Sequence, residues 1–158
     1  MNKSIQEWLS EYGESHQNNL NKSIHWLCVP LIMLSLLGLL HAIPYKIPLQ
    51  INSVQYNIDF ALIFLILVSL FYFKLSKTLF VGMIFISVSM LYAINILNSF
   101  SWPLWKICLS IFIISWIGQF IGHKIEGKKP SFFEDIQFLL IGPAWLLSFI
   151  YKKMNIPL

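Results

Sequence analysis

Residues 102–129 read WPLWKICLSIFIISWIGQFIGHKIEGKK, and the change of character inside this stretch decides the fold. Trp102 to Ile121 is apolar over about the 20 residues that a helix needs to cross roughly 30 Å of hydrocarbon. From Gly122 onward the chain turns polar. The stretch reads as a transmembrane helix that emerges at His123.

Working outward, Trp26 to Ile43, Ile58 to Phe73 and Thr78 to Leu97 have the same character, the second of them being short. A fifth apolar run, Ile136 to Tyr151, carries Gly142 and Pro143 in its middle. Proline removes a helical hydrogen bond and clashes with the preceding turn, so a broken segment, re-entrant or interfacial, is expected there. At the start, Ile5, Trp8, Leu9 and Tyr12 recur at i, i+3, i+4 and i+7, with Glu7, Glu11 and Glu14 on other faces. That pattern predicts an amphipathic helix over residues 3–15, lying at headgroup level and ending near Gly13. The polar stretch HQNNLNKSIH then precedes the first span. The loop Ala42 to Asn57 carries nothing that looks like chemistry.

Composition agrees. Apolar residues make up 57% and charged residues 11%, against about half and a quarter in soluble domains. The expected architecture is all-α, one integral membrane domain over residues 1–158: a polytopic helical membrane protein with an N-terminal amphipathic helix, four transmembrane helices and the Pro-broken fifth segment. Because polar residues precede the first run, a cleavable signal peptide is not expected. Cys28 and Cys108 fall in apolar runs at different depths, as ordinary buried thiols.

The net charge of +4 comes from lysine alone, since arginine is absent. Nucleic-acid surfaces lean on arginine forks, so no nucleic-acid partner is expected. With a cytoplasmic N-terminus, Lys3, Lys22, Lys74, Lys77, Lys124, Lys128 and Lys129 fall on the cytoplasmic side, and Lys46 and Lys106 on the other. The positive-inside rule selects that orientation, and Lys152 and Lys153 join the same side if the fifth run re-enters.

This topology gathers His16, His25 and His123 into one layer. Imidazole suits zinc, copper, nickel and iron, and helical bundles commonly draw ligands from separate segments. The competing reading is that lipid merely drives polar residues to the interface. Glu126 lies three residues after His123, on the same helix face, either as a further ligand or paired with Lys128 or Lys129. Asn21 is placed to orient a histidine, and Gln119, one turn before His123, either bonds another helix or points at the site. Lys124, Lys128 and Lys129 lie close in sequence to His123, where they either attract an anionic group or reflect only snorkelling and topology. His41, at the far end of the first span, is expected either to sit at the interface or to hydrogen-bond a neighbouring helix, and stays outside the site. No nucleotide loop, nucleophile elbow or paired-cysteine motif occurs.

The pattern Tyr12, His16, Asn18, Asn21, Ile24 and His25, followed by Val29 and Pro30, joins WIGQFIGHKIEGKKPSF (116–132) and the later Pro143. Together they resemble the Mpo-like family. Its specific parts are HxNxxNxxIH and QFIGHxxEGxxP, and the middle spans match only in hydrophobicity. The resemblance implies an Fe2+-dependent dioxygenase that uses O2 to shorten long-chain 2-hydroxy fatty acids by one carbon, in the breakdown of phytosphingosine-derived chains. It implies His16, His25 and His123 as ligands, with Glu126 at a matching acidic position. The expected site is catalytic His16, His25, His123 and Glu126, with Asn21, Gln119 and Lys128 toward the substrate, at the cytoplasmic membrane face. Two other readings compete: a zinc-dependent membrane hydrolase acting on lipids, and a non-catalytic lipid-binding membrane protein.

Overall fold

The structure is a computed structural model that describes residues 3–51, 53–130 and 137–158. Its elements are α1 (Ile5–Glu14), α2 (Asn19–His41), β1 (Ile47–Ile51), β2 (Val54–Ile58), α3 (Phe60–Leu75), α4 (Lys77–Asn98), α5 (Leu104–Glu126) and α6 (Phe138–Lys153). Among the described residues three helices, α2, α4 and α5, are long and apolar enough to cross a membrane. Of the four spans expected, three meet this criterion, and the fourth, α3, is a shorter apolar helix. At 16 residues, α3 rises only about 24 Å, less than the roughly 30 Å of hydrocarbon.

Two helix boundaries run further than hydrophobicity suggested. The Asn18 side chain accepts from the backbone amides of Leu20 and Asn21, so α2 starts inside the polar stretch and His25 is a helical residue rather than a flank. At the other end, α5 continues to Glu126 and stops at Gly127, whose φ of 73° is the left-handed conformation that glycine adopts without strain.

The bundle is organised on the close pairing of α2 and α5, which small residues permit. A Cβ at Gly118 would come within 2.7 Å of Cys28 Sγ, one at Gly38 would meet Cys108 Sγ, and one at Gly122 would meet Asn21 Oδ1. Both cysteines are buried and free, as expected.

The α1 helix forms as predicted, fixed by a capping box between Ser4 and Glu7. Its apolar face, however, packs against protein: Ile5 joins Tyr72, Leu79, Met83 and Leu147, while Trp8 and Tyr12 join Val29, Phe138 and Trp145. What covers this face is α6, which runs unbroken through Pro143, against expectation. The amide lost at Pro143 releases only one carbonyl, that of Leu139, and the helix is held from outside. Tyr72 Oη donates to the Leu140 carbonyl (2.6 Å) and Tyr151 Oη to that of Thr78 (2.8 Å). Ile141 to Leu147 are all buried. The partners of α6 lie at one end of the bundle, and the cluster of Leu37, Ala61, Leu65, Ile94, Leu104 and Cys108 contains no α6 residue. Ile136, the start of the run expected there, and Ser131 and Phe132 of the family-like motif lie outside the described residues.

The loop after α2 holds the departure from an all-α fold, an antiparallel hairpin pairing Ile47 with Ile58 and Leu49 with Tyr56. His41 Nδ1 lies 2.6 Å from Asp59 Oδ2, tying α2 to the cap of α3 as expected.

Candidate metal centre

The second residue after α1, the second turn of α2 and the last turn of α5 deliver His16, His25 and His123 to one point. One ring nitrogen from each lies within 4.8 Å of the others, and all three residues are buried. His16 and His25 are wholly inaccessible.

Hydrogen bonding fixes the tautomers. His16 Nδ1 is 2.6 Å from the Tyr12 carbonyl and His25 Nδ1 is 2.9 Å from that of Asn21. A carbonyl only accepts, so each Nδ1 carries the proton and each Nε2 of a neutral ring presents a lone pair. Those Nε2 atoms face one another at 2.9 Å. Protonating one would relieve the repulsion, but burial first, and then the charge of His25, push the His16 pKa down to about 3. A cation accepting from both resolves the conflict. Among the described residues the buried His123 Nδ1 has no hydrogen-bond partner. Metal-bound histidines characteristically donate their other N–H to a carbonyl, as His16 and His25 do here.

The surroundings hold the rings. Tyr12 stacks on His16 with centroids 4.1 Å apart, and Trp145 lies 5.2 Å away. Gln119 is buried beside His25. Glu126 is brought near but not into the group of three. Its Oε1 accepts from Gln17 N (2.8 Å) and its Oε2 from Asn18 N (2.9 Å) and Asn21 Nδ2 (2.9 Å). Asn21 Nδ2 also donates to the Ser15 carbonyl (3.2 Å). Lys128 is exposed and donates to the Glu14 carbonyl at the end of α1 (2.8 Å). Sequence reasoning missed Gly122 and the Tyr12 carbonyl. Their signals were the glycine preceding His123 and a tyrosine one helical turn before His16.

Residues 2–154 match the family described as 2-hydroxy-palmitic acid dioxygenase Mpo1-like. The chain belongs to this Mpo1-like family. It is 26% identical over 156 residues to the 2-hydroxy-palmitic acid dioxygenase MPO1 of Saccharomyces cerevisiae, covering 97% of this chain and 83% of the yeast protein. No solved structure matches the chain. The Mpo1-like match takes in every element that builds the three-histidine centre.

Proposed function

We propose that the protein is an Fe2+-dependent dioxygenase that removes the carboxyl carbon of a long-chain 2-hydroxy fatty acid. Membership of the Mpo1-like family and the name of the yeast relative support the reaction class. The observation that carries the metal is the pair of Nε2 lone pairs facing each other across 2.9 Å, with His123 completing the group of three. Three neutral nitrogen donors fit iron and leave open positions. A ferrous ion, when bound, would supply redox chemistry toward O2 and a chelating centre for a hydroxyl and a carboxylate.

The overall change is self-balancing. RCH(OH)COOH and O2 give RCOOH, CO2 and H2O, so the four electrons lost by the substrate reduce one O2 and no external reductant enters. The chain's own contribution is to fix donors: Tyr12 and Asn21 hold the Nδ1 protons of His16 and His25 in place. Glu126 acts through Gln17, Asn18 and Asn21, positioning both histidines against α5. Of the polar groups expected to meet the substrate, Gln119 lies beside His25 and lines the adjoining cleft, whereas the Asn21 amide and Lys128 are engaged within the protein. The lysine asymmetry supports a cytoplasmic N-terminus and a site at the cytoplasmic membrane face, where the substrate's tail stays in lipid.

The test is metal analysis of anaerobically purified protein followed by incubation with 2-hydroxypalmitate. Iron near one per chain and a product one carbon shorter support the reading. Turnover under strict anaerobiosis, with zinc bound, would replace it by the hydrolase reading, since three imidazoles also suit zinc.

A further inference from the structure

A cleft opens beside the centre, and the Tyr12, Gln119 and His123 side chains line it together with apolar residues of α2 and α6. Its cavity of about 60 Å³ has room for about four waters at ~15 Å³ each. That matches a hydroxy-carboxylate head and is far too small for a long acyl chain. The Tyr12 hydroxyl stands 2.9 Å from where a Cβ at Gly142 would sit, so glycine there keeps the space before it clear.

The cleft has a flank. Leu139 is 42% exposed, and Ile32 and Met33 are half-buried, on facing sides of α6 and α2. Ile32 and Met33 follow His25 by two turns, which is about 11 Å along a helix long and apolar enough to cross a membrane. A chain leaving this way runs from the polar centre toward the bilayer middle.

We propose that this cleft is the substrate subsite for a single-chain amphiphile. The Tyr12 hydroxyl and Gln119 amide recognise its 2-hydroxy carboxylate head, and its tail leaves between Met33 and Leu139 into lipid. The proposal rests on the 2-hydroxy fatty acid reading, and binding separates the two. Full-length, metal-loaded protein in nanodiscs is titrated with 2-hydroxypalmitate and with palmitate, alongside iron content and O2 consumption.

Wild type is expected to prefer the hydroxylated acid. Tyr12→Phe keeps the ring stacked on His16 and should keep its iron while losing about fivefold of that preference, the worth of one ordinary hydrogen bond. Met33→Trp, and Leu139→Trp on the opposite wall, should keep iron and weaken binding of both acids about tenfold or more by overfilling the cleft. Wild-type affinity and preference in iron-loaded Tyr12→Phe and in either tryptophan variant would overturn the subsite, as would a wild type that binds neither acid. A wild type that prefers 2-hydroxypalmitate yet consumes no O2 would leave the subsite standing and end the dioxygenase reading.

Discussion

His16 and His25 direct their lone pairs at a common point, so alanine at either, or at His123, should release most of the iron, as measured by metal content after dialysis. Full retention in all three variants would place the metal elsewhere. Glu126 should behave differently. Glu126→Ala strips partners from two backbone amides and from the wholly buried Asn21. It should cost about 1–3 kcal/mol of stability and weaken iron binding about 10–100-fold, with the iron restored at high concentration. Loss that no iron concentration reverses would argue for a direct ligand. The His16 imidazole supplies a pH dependence. Its ordinary pKa of 6.5 falls to about 3 in the folded protein, through burial first and then the His25 charge. The unfolded chain thus binds the proton more readily. The associated stability is whole above about pH 6.5 and drains away as pH falls toward 3. Metal-free protein should melt lower at pH 5 than at pH 7.5, and a flat profile would contradict this burial.

At the scale of elements, the contact of α2 with α5 turns on glycine. Gly122→Ala drives a methyl into Asn21 Oδ1, on a side chain whose Nδ2 already donates to Glu126, and should destabilise by about 1–3 kcal/mol. Gly127→Ala meets no neighbour but must hold a φ of 73°, so its smaller cost of about 1 kcal/mol comes from the backbone. Chemical denaturation of both variants in detergent checks the order. The helices themselves were legible in the sequence, because Ile5, Trp8 and Tyr12 keep a helical period and the long runs have spanning length. Their partners were not. A period identifies an apolar face without saying whether lipid or protein covers it, so the docking of α1 on α6 was invisible. Pro143 misled for a related reason: a proline's local cost was readable, but the outside support, from Tyr72 on Leu140 and from Thr78 on Tyr151, comes from residues far along the chain. The start of α2 lies ahead of the apolar run because hydropathy ignores capping, and Asn18 extends the helix into polar sequence.

Across the whole molecule, three opposed segments meet at one end, and α1 and α6 close over that end rather than crossing the bundle. The three histidines of the site were readable from topology alone, since any arrangement that returns α5 to the starting side brings His123 back to His16 and His25. The role of Glu126 was not, because its spacing fits a ligand and an anchor equally. The proposed orientation predicts that a cysteine introduced at Lys128 is labelled only from the cytoplasmic side of intact membranes, and labelling from the opposite side would contradict it. The central claim is that the buried histidine centre holds iron and oxidises an amphiphile whose 2-hydroxyl is essential. The most direct test is O2 consumption by purified, iron-loaded protein supplied with 2-hydroxypalmitate or with palmitate. The account predicts uptake with the hydroxylated acid only, one O2 for each acid shortened by one carbon, and none in His25→Ala. Equal uptake with palmitate, or undiminished uptake in His25→Ala, would contradict it.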